Sequence, residues 1–110
     1  MIELIVLDYL KNALDVPVFM EIPASAPDEF VLIQKTGSGE ENFIKNASFA
    51  VQSYSDSLYN AAVLNEKVIS TMKDIIMLED VSRSELNSDY EYTDTTTKHY
   101  RYQAIFDLVY

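Results

Sequence analysis

From Ile2 to Leu14, apolar positions recur at three- and four-residue steps. Ile2, Ile5, Val6, Tyr9, Leu10 and Ala13 form one stripe, which predicts an amphipathic helix. Asp15-Val16-Pro17 ends it, because proline disfavours helical backbone in the residue before it. The period then drops to two. Val18, Met20 and Ile22 share one face against Phe19 and Glu21, the pattern of a short strand. Pro23 and Pro27 mark a loop, since proline cannot donate to a ladder. Phe30 to Thr36 is the next strand; its run Phe30-Val31-Leu32-Ile33 is apolar on both faces and belongs inside the sheet. Ser48 to Tyr54 is a third strand, with Phe49 and Val51 alternating against Gln52 and Tyr54. Between these two strands lies Gly37-Ser38-Gly39-Glu40-Glu41-Asn42. It reads as the mobile polar tip of a hairpin with a long loop.

The strongest periodic signal follows. Asp56 or Ser57 can cap a helix running to about Ile76. Ala61, Leu64, Val68, Met72 and Ile75 give it one apolar face, widened by Ala62, Ile69 and Ile76. Val81 to Leu86 is a weak strand. Asn87 to Lys98 is polar and rich in hydroxyls, and reads as an extended loop or a ribbon tip. His99 to Tyr110 is a clear strand, with Tyr100, Tyr102, Ala104, Phe106, Leu108 and Tyr110 on one face. The expected fold is α+β: one domain over residues 1–110, with a mostly antiparallel sheet of four or five strands and both helices on one face.

Composition narrows the function classes. The chain has 110 residues, of which 48% are hydrophobic, enough for one core. It has no cysteine, so disulfides, thiolate nucleophiles and thiolate metal sites are excluded. No apolar run approaches the roughly 18–20 residues of a membrane span. Met1 to Val6 has no basic leader, so the expected location is the cytoplasm of the producing cell. The formal charge is −10, with eight Lys and Arg, and only Lys98 and Arg101 approach a cluster. Phosphate neutralisation needs clustered cations, so a duplex should be repelled by most of this surface.

The candidate chemistry is sparse. His99 is the single histidine, and no pattern places a nucleophile and an orienting carboxylate beside it. Glu40-Glu41 and Glu79-Asp80 read as solvated charge and match no calcium loop. Thr36-Gly37-Ser38-Gly39 lacks the Lys, hydroxyl and helix of a phosphate loop and reads as a turn. Tyr90, Tyr92, Tyr100 and Tyr102 would suit a stacking platform for single strands, but those sit in basic grooves; core and interface tyrosines are the stronger reading. No catalytic, cofactor-binding or metal-ligating residue is expected.

One resemblance runs through residues 1–77. It is carried by Val16-Pro17-Val18-Phe19-Met20-Glu21-Ile22-Pro23 and by Pro27 with Phe30-Val31-Leu32-Ile33-Gln34-Lys35-Thr36-Gly37. Phe49-Ala50-Val51-Gln52-Ser53-Tyr54, followed by Ala61 and Ala62, completes it. In motifs and in order of elements the chain resembles the small tail-completion and tail-terminator proteins of long-tailed bacteriophages and prophages. That family usually carries two adjacent glycines after the threonine, where Ser38 intervenes here. The resemblance implies a homo-oligomeric ring, typically a hexamer, in the virion tail at the head-proximal end of the tube. Its partners would be the tail-tube protein and the head connector, with DNA passing through the lumen without specific binding. A head–tail connector or stopper is the neighbouring alternative, and a small-ligand domain the more distant one. Two segments, Gly37–Asn46 and Asn87–Lys98, are the expected partner contacts, with Gly37, Ser38, Gly39, Glu40, Glu41 and Asn42 named in the first and Tyr90, Tyr92 and Asp94 in the second, because long polar segments often serve binding.

Overall fold

Two helices lie on one face of a five-stranded sheet in this computed structural model, which describes residues 1–96 and 99–110. The elements are α1 (Ile2–Ala13), β1 (Val18–Phe19), β2 (Phe30–Glu41), β3 (Ile44–Ser55), α2 (Leu58–Lys73), β4 (Arg83–Glu91) and β5 (Tyr100–Val109). The strand order is β1-β2-β3-β5-β4. β1 runs parallel to β2 and every other pairing is antiparallel. The α+β class expected from the pattern is the class observed.

The core lies between the helices and the sheet. α1 contributes Ile2, Val6 and Leu10; α2 contributes Leu64, Val68, Ile69 and Met72. Opposite them stand Val31 and Ile33 of β2, Ala47, Phe49 and Val51 of β3, and Ala104, Phe106 and Leu108 of β5. The period-two runs of the sequence thus put one side chain in two under the helices. Ser57 caps α2, its side chain accepting from the Asn60 backbone N–H at 3.1 Å. Lys35 of β2 pairs with Glu3 of α1 at 3.1 Å. The Glu3 carboxyl sits below its ordinary value, first through its own backbone N–H in the first turn and then through Lys35.

Three expectations change, and one open reading resolves to one of its alternatives. β1 ends at Phe19, so Met20 and Ile22 are exposed. β1 has β2 as its one neighbour, and the chain leaves that edge before Pro23. α2 stops at Lys73 and continues as a 3-10 turn, Asp74–Met77. The tighter winding keeps Ile75 in the core and turns Ile76 out to solvent. The glycines make no turn: Gly37 and Gly39 lie within β2, beside a bulge at Thr36. The ladder runs on to Glu41↔Ile44, and the turn is the two residues Asn42-Phe43. The late polar segment is mostly ribbon: β4 runs to Glu91, bulged at Asn87, and an Asp94↔His99 bridge extends the pairing. Thr97 and Lys98, the last residues of that segment, lie outside the described residues, so the Lys98 and Arg101 cluster is not placed.

Val68 is fully buried in the centre of α2. Val68→Asp puts an unpaired carboxylate there, and we expect no cooperative melting transition by circular dichroism; a normal melting curve would remove Val68 from the core. Tyr9 ties the helices together, its hydroxyl donating to the Thr71 carbonyl at 2.7 Å. Burial, and then the charge of Asp74, push the Tyr9 phenol above its ordinary 10.0. The folded state therefore holds this proton more tightly than the unfolded chain. The contribution is complete below the unfolded value and is lost as pH rises through the folded one. Tyr9→Phe should lose about 1 kcal/mol at neutral pH. In urea titrations, the gap between wild type and variant should hold up to about pH 10 and close as pH rises beyond it.

Candidate interaction surface

The sheet face away from the helices carries a line of polar and aromatic side chains that crosses all five strands. Phe19 of β1 meets Phe30 of β2 edge-on at 5.8 Å. Phe30 stacks on Tyr54 of β3 at 4.4 Å with planes 8° apart. The Tyr54 hydroxyl donates to Gln52 Oε1 at 2.9 Å, and Gln52 Nε2 donates to Gln103 Oε1 of β5 at 2.6 Å. Gln103 Nε2 then donates to the Tyr90 hydroxyl of β4 at 2.6 Å. Arg101 of β5 donates to the Tyr54 hydroxyl at 2.8 Å and to the Tyr92 carbonyl, and its guanidinium lies 4.3 Å from the Tyr92 ring centre. Gln52 and Gln103 are buried, so their amides depend on this chain of partners.

Two further features flank the line. At one end, Phe30, Tyr54, His99 and Tyr100 wall a recess of about 210 Å³, with Asp28 and Asp56 beside it. Sites for small molecules usually enclose roughly 300–1,000 Å³, so this one admits no more than a single side chain or a small fragment. His99 faces the Tyr54 ring edge-on at 6.4 Å. Towards the other end, Asp107 of β5 accepts from Ser48 of β3 at 2.7 Å and from Asn87 of β4 at 3.1 Å. That contact holds the β4 bulge against the sheet.

The expected contact residues fall into two separate groups. Gly37, Ser38, Gly39, Glu40, Glu41 and Asn42 are exposed on the β2–β3 hairpin. Tyr90 and Tyr92 pack edge-on at 5.9 Å on the β4 ribbon, and Asp94 lies just beyond, accepting from the Thr96 backbone N–H at 2.9 Å. The register puts them at opposite ends of the strands. Asn46 pairs with Val109 near the hairpin, while Glu91 pairs with Tyr102. Seven residues of β5 separate these levels, roughly 23 Å at about 3.3 Å per residue. The protein is elongated, 44 × 25 × 24 Å, so the two groups cannot serve one small site.

Sequence reasoning missed Gln52, Gln103 and Arg101 as a connected unit, and it did not single out Phe43 within the Gly37–Asn46 contact loop. The first could have been suspected from Gln at interior positions of two apolar strands. For Phe43 the signal was Asn42 before it, a residue that tolerates the left-handed region. Among the described residues, no group of three or more His, Asp or Glu side chains is placed to hold a metal ion, and no helix is long and apolar enough to cross a membrane.

Tyr54 is the hub of the line, and its hydroxyl serves both Gln52 and Arg101. Tyr54→Phe keeps the stack on Phe30 and leaves both partners short of a hydrogen bond. We expect a loss of about 1–3 kcal/mol in urea unfolding, with the fold retained by circular dichroism. An unchanged midpoint would show that solvent replaces the hydroxyl. In comparisons with known proteins, no protein-family model matches the chain, and no curated protein matches it.

Proposed function

We propose that this chain is a structural subunit of a phage particle, a tail terminator or completion protein. In this reading it forms a ring at the head-proximal end of the tail tube, stops tube growth and joins the tail to the head connector. The reading rests on the resemblance of residues 1–77. The observation that best supports it is the pair of sheet edges.

β4 stands at one edge of the sheet. At the other edge β1 covers β2 only at Val31 and Leu32, and no strand among the described residues pairs with β2 from Ile33 to Glu41 on that side. β2 and β4 run in opposite directions, because the intervening pairs β2–β3, β3–β5 and β5–β4 are all antiparallel. The β4 edge of one copy can therefore pair antiparallel with the β2 edge of the next. Such head-to-tail contacts are heterologous, and they close into a ring when the rotation per copy permits. The separation of the two exposed groups fits the same role, since a joining protein needs one end for the tube and another for the connector. A formal charge of −10 suits a passage that DNA crosses without sticking.

The test is sedimentation and negative-stain electron microscopy of the purified protein, with and without tail tubes. We expect rings, and tubes capped at one end. A protein that stays monomeric at every concentration and never associates with tubes would end this reading. Rings that bind the connector but not the tube would make it a stopper.

A further inference from the structure

Phe43 is 96% exposed, the most exposed of the large apolar side chains. Its φ is +66°, and that of Asn42 is +52°. Positive φ at both central residues is the signature of a type I′ turn, the two-residue connection that matches strand twist. The second position of that turn favours glycine. A residue with a Cβ is penalised there, and a bulky one more than Asn or Asp. The benzyl group, standing in water, gives the fold nothing in exchange. Phe43 is therefore doubly unfavourable to the free subunit, through its backbone and through its exposed apolar surface.

We infer that Phe43 is the anchor of an interface, inserting into an apolar recess on a different protein whose rim carries Lys or Arg. Aromatic side chains in desolvated pockets carry much of the energy of protein interfaces. The rim chemistry follows from the hairpin. Glu40 and Glu41 flank the turn and pair with Lys45 and Ile44, so the tip holds two carboxylates against one ammonium. Ile44, 56% exposed, adds apolar surface beside the ring.

The same charges argue against a second copy as host. The aromatic recess of this chain has Asp28 and Asp56 beside it, and the groove along α1 sets Lys11 against Glu21. Neither offers excess positive charge, and each copy carries −10 overall. A lipid surface fits no better, since two glutamates beside one Phe and one Ile are repelled by anionic headgroups. The inference rests on the assembly reading only for which protein supplies the recess.

Experiments on the full chain test it. Phe43→Gly relieves the turn, and we expect Tm to rise by roughly 4–8 °C. A fall in Tm would show that the ring stabilises the subunit itself, and would overturn the argument. In producing cells, benzoylphenylalanine in place of Phe43 should photo-cross-link to a different polypeptide, at an apolar position bordered by Lys or Arg. The same group in place of Glu66, on the exposed side of α2, should not. For that partner, once purified, Phe43→Gly should weaken binding roughly thirtyfold or more, and Glu40→Lys with Glu41→Lys should weaken it further. A cross-link to another copy of this chain, or no cross-link at all, would overturn the proposal. If the cross-linked protein is no tail component, the anchor stands and the tail reading falls. If Phe43→Gly both caps tubes and joins them to heads normally, the anchor falls and the tail reading stands.

Discussion

The organisation depends on β3 being covered on both faces and paired on both sides. From Ala47 to Ser55 every residue but Ser48 is buried. Its helix-side residues, Phe49 and Val51, simply fill the core. Its other face is harder to satisfy. Gln52 and Tyr54 carry polar groups that water reaches poorly, and their neighbours must supply the partners. Gln103 and Arg101 do so from β5, and Tyr90 continues the line on β4. A one-residue slip of β5 would move Gln103 and Arg101 to the helix side. The polar line therefore helps to fix the register, and with it the recess at Tyr54 and the position of the β4 tyrosines.

Much of this architecture could be read from periodicity, because burial forces it. The Val68 face of α2 and the alternation from Ala104 to Leu108 have one packing solution each. The failures share a different cause. Gly37-Ser38-Gly39 looks like a turn by residue type, yet Asn42 tolerates positive φ and the alternating strands on either side keep pairing up to it. Residue preference lost to ladder continuity there. β4 was under-read because Asn87, Ser88 and Asp89 are poor strand formers. They are held as a strand by β5, and the bulge at Asn87 is tied to Asp107. Ile76 shows a third kind of error, in which the period itself changed at Asp74. The two contact segments were visible as polar stretches, but their separation depends on register, which no local pattern encodes. Phe43 fell inside the expected contact loop, but nothing singled it out, because its meaning lies in a backbone angle.

Exposed sheet edges are a hazard to a free subunit, and both edges here are irregular. The bulge at Thr36 interrupts β2 and that at Asn87 interrupts β4. Bulges increase local twist and discourage indiscriminate pairing. The β1 residues Val18 and Phe19 cover one further stretch of the β2 edge. In the ring we propose, these features would restrict pairing to one register and direction.

The placement of exposed segments at opposite ends of the strands has a mechanical side. A pull applied between the hairpin tip and the far ends of β4 and β5 would act along the strands. The ladder hydrogen bonds between antiparallel strands lie perpendicular to that direction. Such a load shears many bonds at once instead of peeling them one after another. The side-chain links among Tyr54, Gln52, Gln103 and Tyr90 cross the same strand boundaries and would share the strain. A sheet loaded in this way resists tension far better than one opened from an edge, whatever the identity of the bodies attached to its two ends.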